Sequence, residues 1–249
     1  VDGFSVFEKT TTVRLQDNSY LEAQGRDSSG DYIGSGLVGD GDIFVEDQAT
    51  LKATGYGSAI ATSGNVEVSG GKIIAESTKS NGIYAAKSIR IHDAEAEITG
   101  GWPALYGKGE VSIENSRLTA TSTEDIAIYS KDGTIELTDS LVYANGAEGY
   151  YGVYSAQGTA VSGSWVESTG PETLDDEPNR IENSVRFNAG EGKVIGNASL
   201  LADMSVGADM TLEIPEGTKL TIPAGKTLTN DGTILCEGAL ERLGEVQCN

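Results

Sequence analysis

Four tyrosines, Tyr84, Tyr106, Tyr129 and Tyr154, recur at nearly even spacing, each directly after an apolar residue: Ile83, Leu105, Ile128 and Val153. If the apolar residue points inward on a strand, period-two alternation turns the tyrosine outward, so the four form an exposed column. Trp102 and the pair Tyr150 and Tyr151 fall in the turns just before these strands, and Lys108 and Lys131 follow two residues after their tyrosines. A flat aromatic row edged with hydrogen-bonding groups suits a polysaccharide, because sugar C–H faces pack on rings and hydroxyls reach polar side chains. A glycan platform is therefore the first expectation. The same residues have a plainer use, since tyrosine favours strands and stacked rings stabilise neighbouring coils.

Carboxylates cluster at Asp40/Asp42, Glu46/Asp47, Glu124/Asp125 and Asp175-Asp176-Glu177. Calcium needs about six to eight oxygens converging on one point. None of these clusters has a calcium-loop pattern, and solvated acidic turns explain them more simply. Asp175, Asp176 and Glu177 make the best calcium candidate, because they sit in an irregular stretch between Pro171 and Pro178. His92 is the only histidine, which removes His-based metal sites and any Ser-His-Asp triad that does not use it. It alternates with Ile89 and Ile91 and so faces solvent beside Arg90. Cys236 and Cys248 lie close in sequence near the C-terminus; a disulfide there would staple the terminal coil and favour an extracytoplasmic address, the alternative being two separate thiols.

These side chains must be carried by a repeat. GDIFVEDQATLKATGYGSAIATS, GNVEVSGGKIIAESTKSNGIYAA, KSIRIHDAEAEITGGWPALYGK, GEVSIENSRLTATSTEDIAIYSK and DGTIELTDSLVYANGAEGYYGVYSAQ start at Gly41, Gly64, Lys87, Gly109 and Asp132, so the starts are 23, 23, 22 and 23 residues apart. Each segment carries three apolar pairs at strand alternation. The first pairs run from Ile43/Val45 to Ile135/Leu137, the second from Leu51/Ala53 to Val142/Ala144, and the third begin at Ile60, Ile83, Leu105, Ile128 and Val153. Three short strands per repeat predict a right-handed parallel β-helix, in which stacking of coils about 4.8 Å apart creates the core. An earlier coil fits at Val13/Leu15, Leu21/Ala23 and Leu37, lengthened by an insertion between Gly25 and Gly34, and a later one begins near Ala160.

Beyond Pro178 the rhythm shortens. TLEIPEGT, KLTIPAGK and TLTNDGTI start at Thr211, Lys219 and Thr227, a period of eight that suggests smaller turns of strand and Gly or Pro corner. The expected organisation is a β-helix over residues 1–184 and, over 185–249, a C-terminal β-roll that continues or caps it.

The pieces GNVEVSGGKIIAES, NGIYAAKSIRI and IPEGTKLTIPAGKTLTNDGTI resemble repeats in secreted and surface β-helix proteins of Gram-positive gut and cellulolytic bacteria. Some members of that group bind plant polysaccharides and hold calcium, and others are adhesin-like. Calcium-binding members often place acidic residues before the Gly-Ile of the third strand. Here Ser80-Asn81-Gly82, Trp102-Pro103-Ala104 and Glu124-Asp125 stand at that position, so calcium is not carried over by motif.

A formal charge of −21, from 38 Asp and Glu against 17 Lys and Arg, would repel a phosphate backbone and argues against nucleic acid and anionic membrane as partners. No apolar run is long enough for a membrane span. The opening Val1-Asp2 lacks a basic segment followed by an apolar one, as in a mature or trimmed fragment. Polysaccharide lyases and hydrolases on this scaffold need clustered carboxylates, or calcium with a basic residue, in a groove walled by long loops. These coils are compact, so the expectation is a non-catalytic, secreted or cell-surface protein, monomeric within a larger surface protein. It would bind a polysaccharide or host glycan, or else serve as a structural spacer with no ligand of its own.

Overall fold

The computed structural model describes the backbone of residues 4–6 together with residues 12–25, 34–171 and 178–248. It is an all-β parallel solenoid of about nine turns, with no helix among the described residues. Each early coil gives one strand to each of three sheets, as Val66–Ser69, Lys72–Ser77 and Ile83–Ala85 do. We call these the front sheet, the long sheet and the tyrosine sheet. Parallel crossovers of this kind take the right-handed sense.

The apolar pairs read from the repeat become ladders. Ile43, Val66, Ile89, Val111 and Ile135 are register partners in succession in the front sheet. Leu51, Ile73, Ala96, Leu118 and Val142 do the same in the long sheet, and Leu37, Ile60, Ile83, Leu105, Ile128 and Val153 in the tyrosine sheet. All of them lie in one continuous buried core. The earlier coil is in place as well, with Val13 over Ile43 and Leu21 over Leu51.

The corner from front to long sheet turns on a left-handed pair in the first two coils, Asp17-Asn18 and Asp47-Gln48, and on one left-handed residue in later ones. Asp93, Asn115, Asp139 and Asn183 have φ of 50°, 45°, 47° and 47°, and Gly163 has 60°. Asp and Asn tolerate this region because the short polar side chain bonds locally. The next residue inward is a serine in four successive coils, Ser116, Ser140, Ser164 and Ser184, all buried. Backbone N–H groups of Ser116, Ser140 and Ser164 each donate to the following serine Oγ at 3.1 Å. The hydroxyls in turn donate to the carbonyls of Glu114, Thr138, Ser162 and Glu182 at 2.6–2.9 Å. This column supplies bonds that the bent backbone would otherwise lose.

The strand direction then reverses. Ser184–Asn188 pairs in parallel with Trp165–Ser168 but antiparallel with Glu191–Ile195, through a turn at Ala189 and Gly190. Val185 and Phe187 share their face with Val194 and Gly192, and this opposite face of the long sheet covers a second core with Leu141, Trp165, Leu212, Ile214, Leu220, Ile222 and Leu228. Strand direction and core side both flip, and the two flips cancel, so the hand of winding is kept. Arg186, aligned with Val166, lies over the end of the first core.

The period of eight is therefore one side of a coil, with three such sides to a turn. Thr211–Ile214, Lys219–Ile222 and Thr227–Asn230 belong to three different sheets, and each lies between a strand before it and one after it. Two of the corners are four-residue turns: Thr218 and Lys226 donate to the carbonyls of Pro215 and Pro223, with Gly217 and Gly225 at φ of 80° and 77°. That third-position glycine with positive φ is the type II pattern.

Candidate functional site

The structure brings the four tyrosines together. Tyr84, Tyr106, Tyr129 and Tyr154 are register partners on the outer face of the tyrosine sheet, with Ala61 below Tyr84. Ring centres are 5.3, 5.1 and 6.0 Å apart along the column, and Tyr151 adds a fifth ring 5.0 Å from Tyr154. Three of these contacts are stacked, at interplanar angles of 13° to 25°, and Tyr84 meets Tyr106 tilted at 33°. The flat platform of open ring faces does not form. Neighbouring rings in the column pack on one another, and the four tyrosines are half-buried.

The cause is local. Three-residue strands place one tyrosine per rung, and a rung spacing of about 4.8 Å lets neighbouring rings overlap. Burial first, then the neighbouring tyrosines and Asp132, push the Tyr106 hydroxyl above the usual phenol range. Tyr129 is raised by burial, then by Tyr154, Asp132 and Asp125. Both therefore keep their protons through neutral pH and can donate as well as accept.

Exposed aromatic side chains stand on the neighbouring corner, where the long sheet turns into the tyrosine sheet. Trp102 is 56% exposed, Tyr150 46% and Tyr56 37%. They occupy alternate coils, and none of the three stacks on another ring among the described residues. The intervening coils carry Lys79 and Glu124, whose side chains pair at 3.1 Å across the Trp102 coil. Backbone bonds fix the tryptophan: its N–H donates to the Ser80 carbonyl at 3.1 Å, and its carbonyl accepts from Ser122 Oγ at 2.9 Å. Tyr56 also borders a depression of about 640 Å³ on the outer face of the long sheet, lined further by Thr54, Glu76, Thr78 and Thr99. Tyr56 escapes a reading that follows the tyrosine column alone; aligning the corners of the coils would have found it.

Lys108 and Lys131 lie on the opposite border of the tyrosine sheet, exposed and on successive rungs, their N–H groups donating to Ala85 and Gly107. Neither forms an ion pair among the described residues. The nine residues singled out as a platform thus divide into a stacked column with Tyr151, an aromatic corner with Trp102 and Tyr150, and a separate pair of lysines.

Asp175, Asp176 and Glu177 lie outside the described residues. Among the described residues, no group of three or more His, Cys, Asp or Glu side chains is placed to hold a metal ion. Asp42 is committed to Asn65, accepting its backbone and side-chain N–H at 2.7 and 2.9 Å, and Glu46 accepts from Arg14 and Gln16. His92 is a surface residue 3.7 Å from carboxylate oxygens of both Glu67 and Asp93. The terminal staple is absent: Cys236 and Cys248 are free, exposed thiols. They end strands on two different sides of the last coil, which holds them on separate sheets.

No family model, curated protein or solved structure matches the chain.

Proposed function

We propose that this β-helix is a non-catalytic binding module for an extended polysaccharide, displayed outside the cytoplasm, with the ligand lying along the corner that carries Tyr56, Trp102 and Tyr150. The supporting observation is the recurrence of exposed aromatic side chains in alternate coils. Two rungs are about 9.6 Å apart on a 4.8 Å repeat, so such a row suits a polymer that presents the same face at regular intervals. Hydroxyls of the stacked tyrosines lie beside this row as donors and acceptors, and the ion-paired Lys79 and Glu124 add polar groups between the rings. The address follows from the resemblance of the repeats to those of secreted and surface proteins.

Retention on insoluble plant and bacterial polysaccharides tests the reading. Replacing Trp102 together with Tyr56 by alanine should abolish retention, whereas Tyr106→Ala should weaken it less. Undiminished retention in the double variant would sink the assignment.

The stacked column favours a second reading, a structural spacer, because ring-on-ring contact already accounts for Tyr84 to Tyr154 as packing. A chain that binds no polysaccharide and yet loses stability with each tyrosine removed would fit that reading.

A further inference from the structure

The second solenoid stands on the outer face of the long sheet, against its later strands, and closes that end of the face. Where the two meet is a notch of about 430 Å³. Its floor is Arg117, Tyr143 and Glu167, from three neighbouring strands of the long sheet; its wall is Asp203, Ser205 and Thr229 of the second solenoid. Tyr143 and Glu167 are register partners on the floor, as Ser205 and Thr229 are on the wall.

The polar groups of the notch are only partly committed. Arg117 sets its guanidinium 5.3 Å from the centre of the Tyr143 ring and has no carboxylate ion pair among the described residues. Glu167 uses Oε1 to accept the Trp165 indole N–H at 2.8 Å, and Asp203 uses Oδ1 to accept the Thr227 N–H at 2.8 Å. Each keeps its second oxygen. The hydroxyls of Ser205 and Thr229 make no hydrogen bond within the described residues. Burial, with Glu167 adding to it, raises the Tyr143 hydroxyl above its usual range and so keeps it a donor at neutral pH.

This mixture selects a ligand class. An anion drawn to Arg117 would be repelled by Glu167 and Asp203, and a cation drawn to those carboxylates would be repelled by Arg117. A neutral polyol meets neither penalty: neighbouring hydroxyls can accept from the forked guanidinium and donate to the carboxylates, and both bonds gain from the charged partner. The wall blocks the path in one direction along the sheet. In the other the floor runs on past Arg117 into an adjoining depression of about 390 Å³ with Thr119, Glu95 and Glu97. A chain lying there would end at the wall.

We propose that the Arg117–Tyr143 notch is a second saccharide site, which takes the terminal residues of a neutral oligosaccharide. It extends the polysaccharide reading above in ligand class but uses a different surface.

Calorimetry and saturation-transfer NMR on the whole chain, with neutral hexasaccharides of glucose, xylose and mannose as probes, test it. Arg117→Ala removes the forked donor, and Ser205→Trp fills the notch from an exposed position that leaves the core untouched. At least one hexasaccharide should bind, and both variants should weaken it about tenfold or more, as expected for loss of charged hydrogen bonds. Arg90→Ala, on the front sheet and away from both surfaces, should leave this binding unchanged. If no hexasaccharide binds, or if the Arg117 and Ser205 variants bind as tightly as the parent, the notch proposal is overturned. Polymer retention that depends on Trp102 while hexasaccharides never bind would keep the corner reading and remove this one. The reverse pattern would keep the notch and remove the corner.

Discussion

Lys79 and Glu124 lie two coils apart and meet at 3.1 Å, spanning the coil that carries Trp102. Both side chains are about half exposed, so solvent screens the pair, and a double-mutant cycle should give less than about 1 kcal/mol of coupling. Ser122, at the same corner, is buried; its hydroxyl donates to the Trp102 carbonyl and accepts the Asp125 N–H at 2.9 Å each. Ser122→Ala leaves those groups unpaired and should cost about 1–3 kcal/mol in denaturant unfolding. The corner is thus held from within, by a buried hydroxyl bonded to its backbone.

The tyrosine column should show a gradient of stability. Tyr106 stacks on both Tyr84 and Tyr129, whereas Tyr84 has Ala61 on its other side. With about 0.5–1.5 kcal/mol per aromatic pair beyond area burial, Tyr106→Ala should cost more than Tyr84→Ala by about one such pair. Equal losses in urea titrations would mean that the rings are independent.

Alkaline titration should reach the same column. Tyr106 and Tyr129 are raised above the ordinary value of 10.0 by burial first and by neighbouring tyrosines and Asp132 next, so folding favours their protonated forms. Their contribution to stability is complete below the unfolded pKa of about 10 and is lost as pH rises through the higher folded values. Tyr106→Phe should flatten that part of the stability curve, and phenolate absorbance should show late-titrating tyrosines that become ordinary on unfolding.

The ladders could be read from the sequence because an inward Val, Ile, Leu or Ala must recur wherever coils stack, and Ile83, Leu105 and Ile128 do so. Ring orientation could not be read, because alternation places Tyr106 outside without saying whether its face meets a ligand or Tyr129. The serine column at Ser116, Ser140 and Ser164 was missed for a related reason: single small polar residues at turns look like solvated corners, and their burial depends on the coil above. The reversal at Ala189 and Gly190 was also hidden, since an apolar strand such as Ser184–Asn188 carries no mark of which core it will serve. The period of eight was visible but ambiguous, because one side of a triangle and one turn of a small roll share that length.

Cys236 and Cys248 should both react with a maleimide in the folded protein, since both thiols are free and exposed. Mild oxidation should produce no intramolecular bridge, because the cysteines end strands in two different sheets. A non-reducing mass map showing Cys236 joined to Cys248 within one chain would contradict the arrangement of the last coil.

The join between the two solenoids depends on Gly192. A Cβ at that position would collide with the Phe187 ring, which is fully buried with its centre 5.1 Å from that of Trp165. Gly192→Ala therefore forces the ring or the strand Glu191–Ile195 to move, and overpacking of this kind costs about 1–3 kcal/mol. The strain falls on the second core, so hydrogen exchange should accelerate in residues 191–248 while the ladders of residues 43–144 stay protected. Phe187→Leu combined with Gly192→Ala should recover part of the loss by freeing the space. If the single variant instead loosens both solenoids equally, the two cores unfold as one unit and the local account of the join fails.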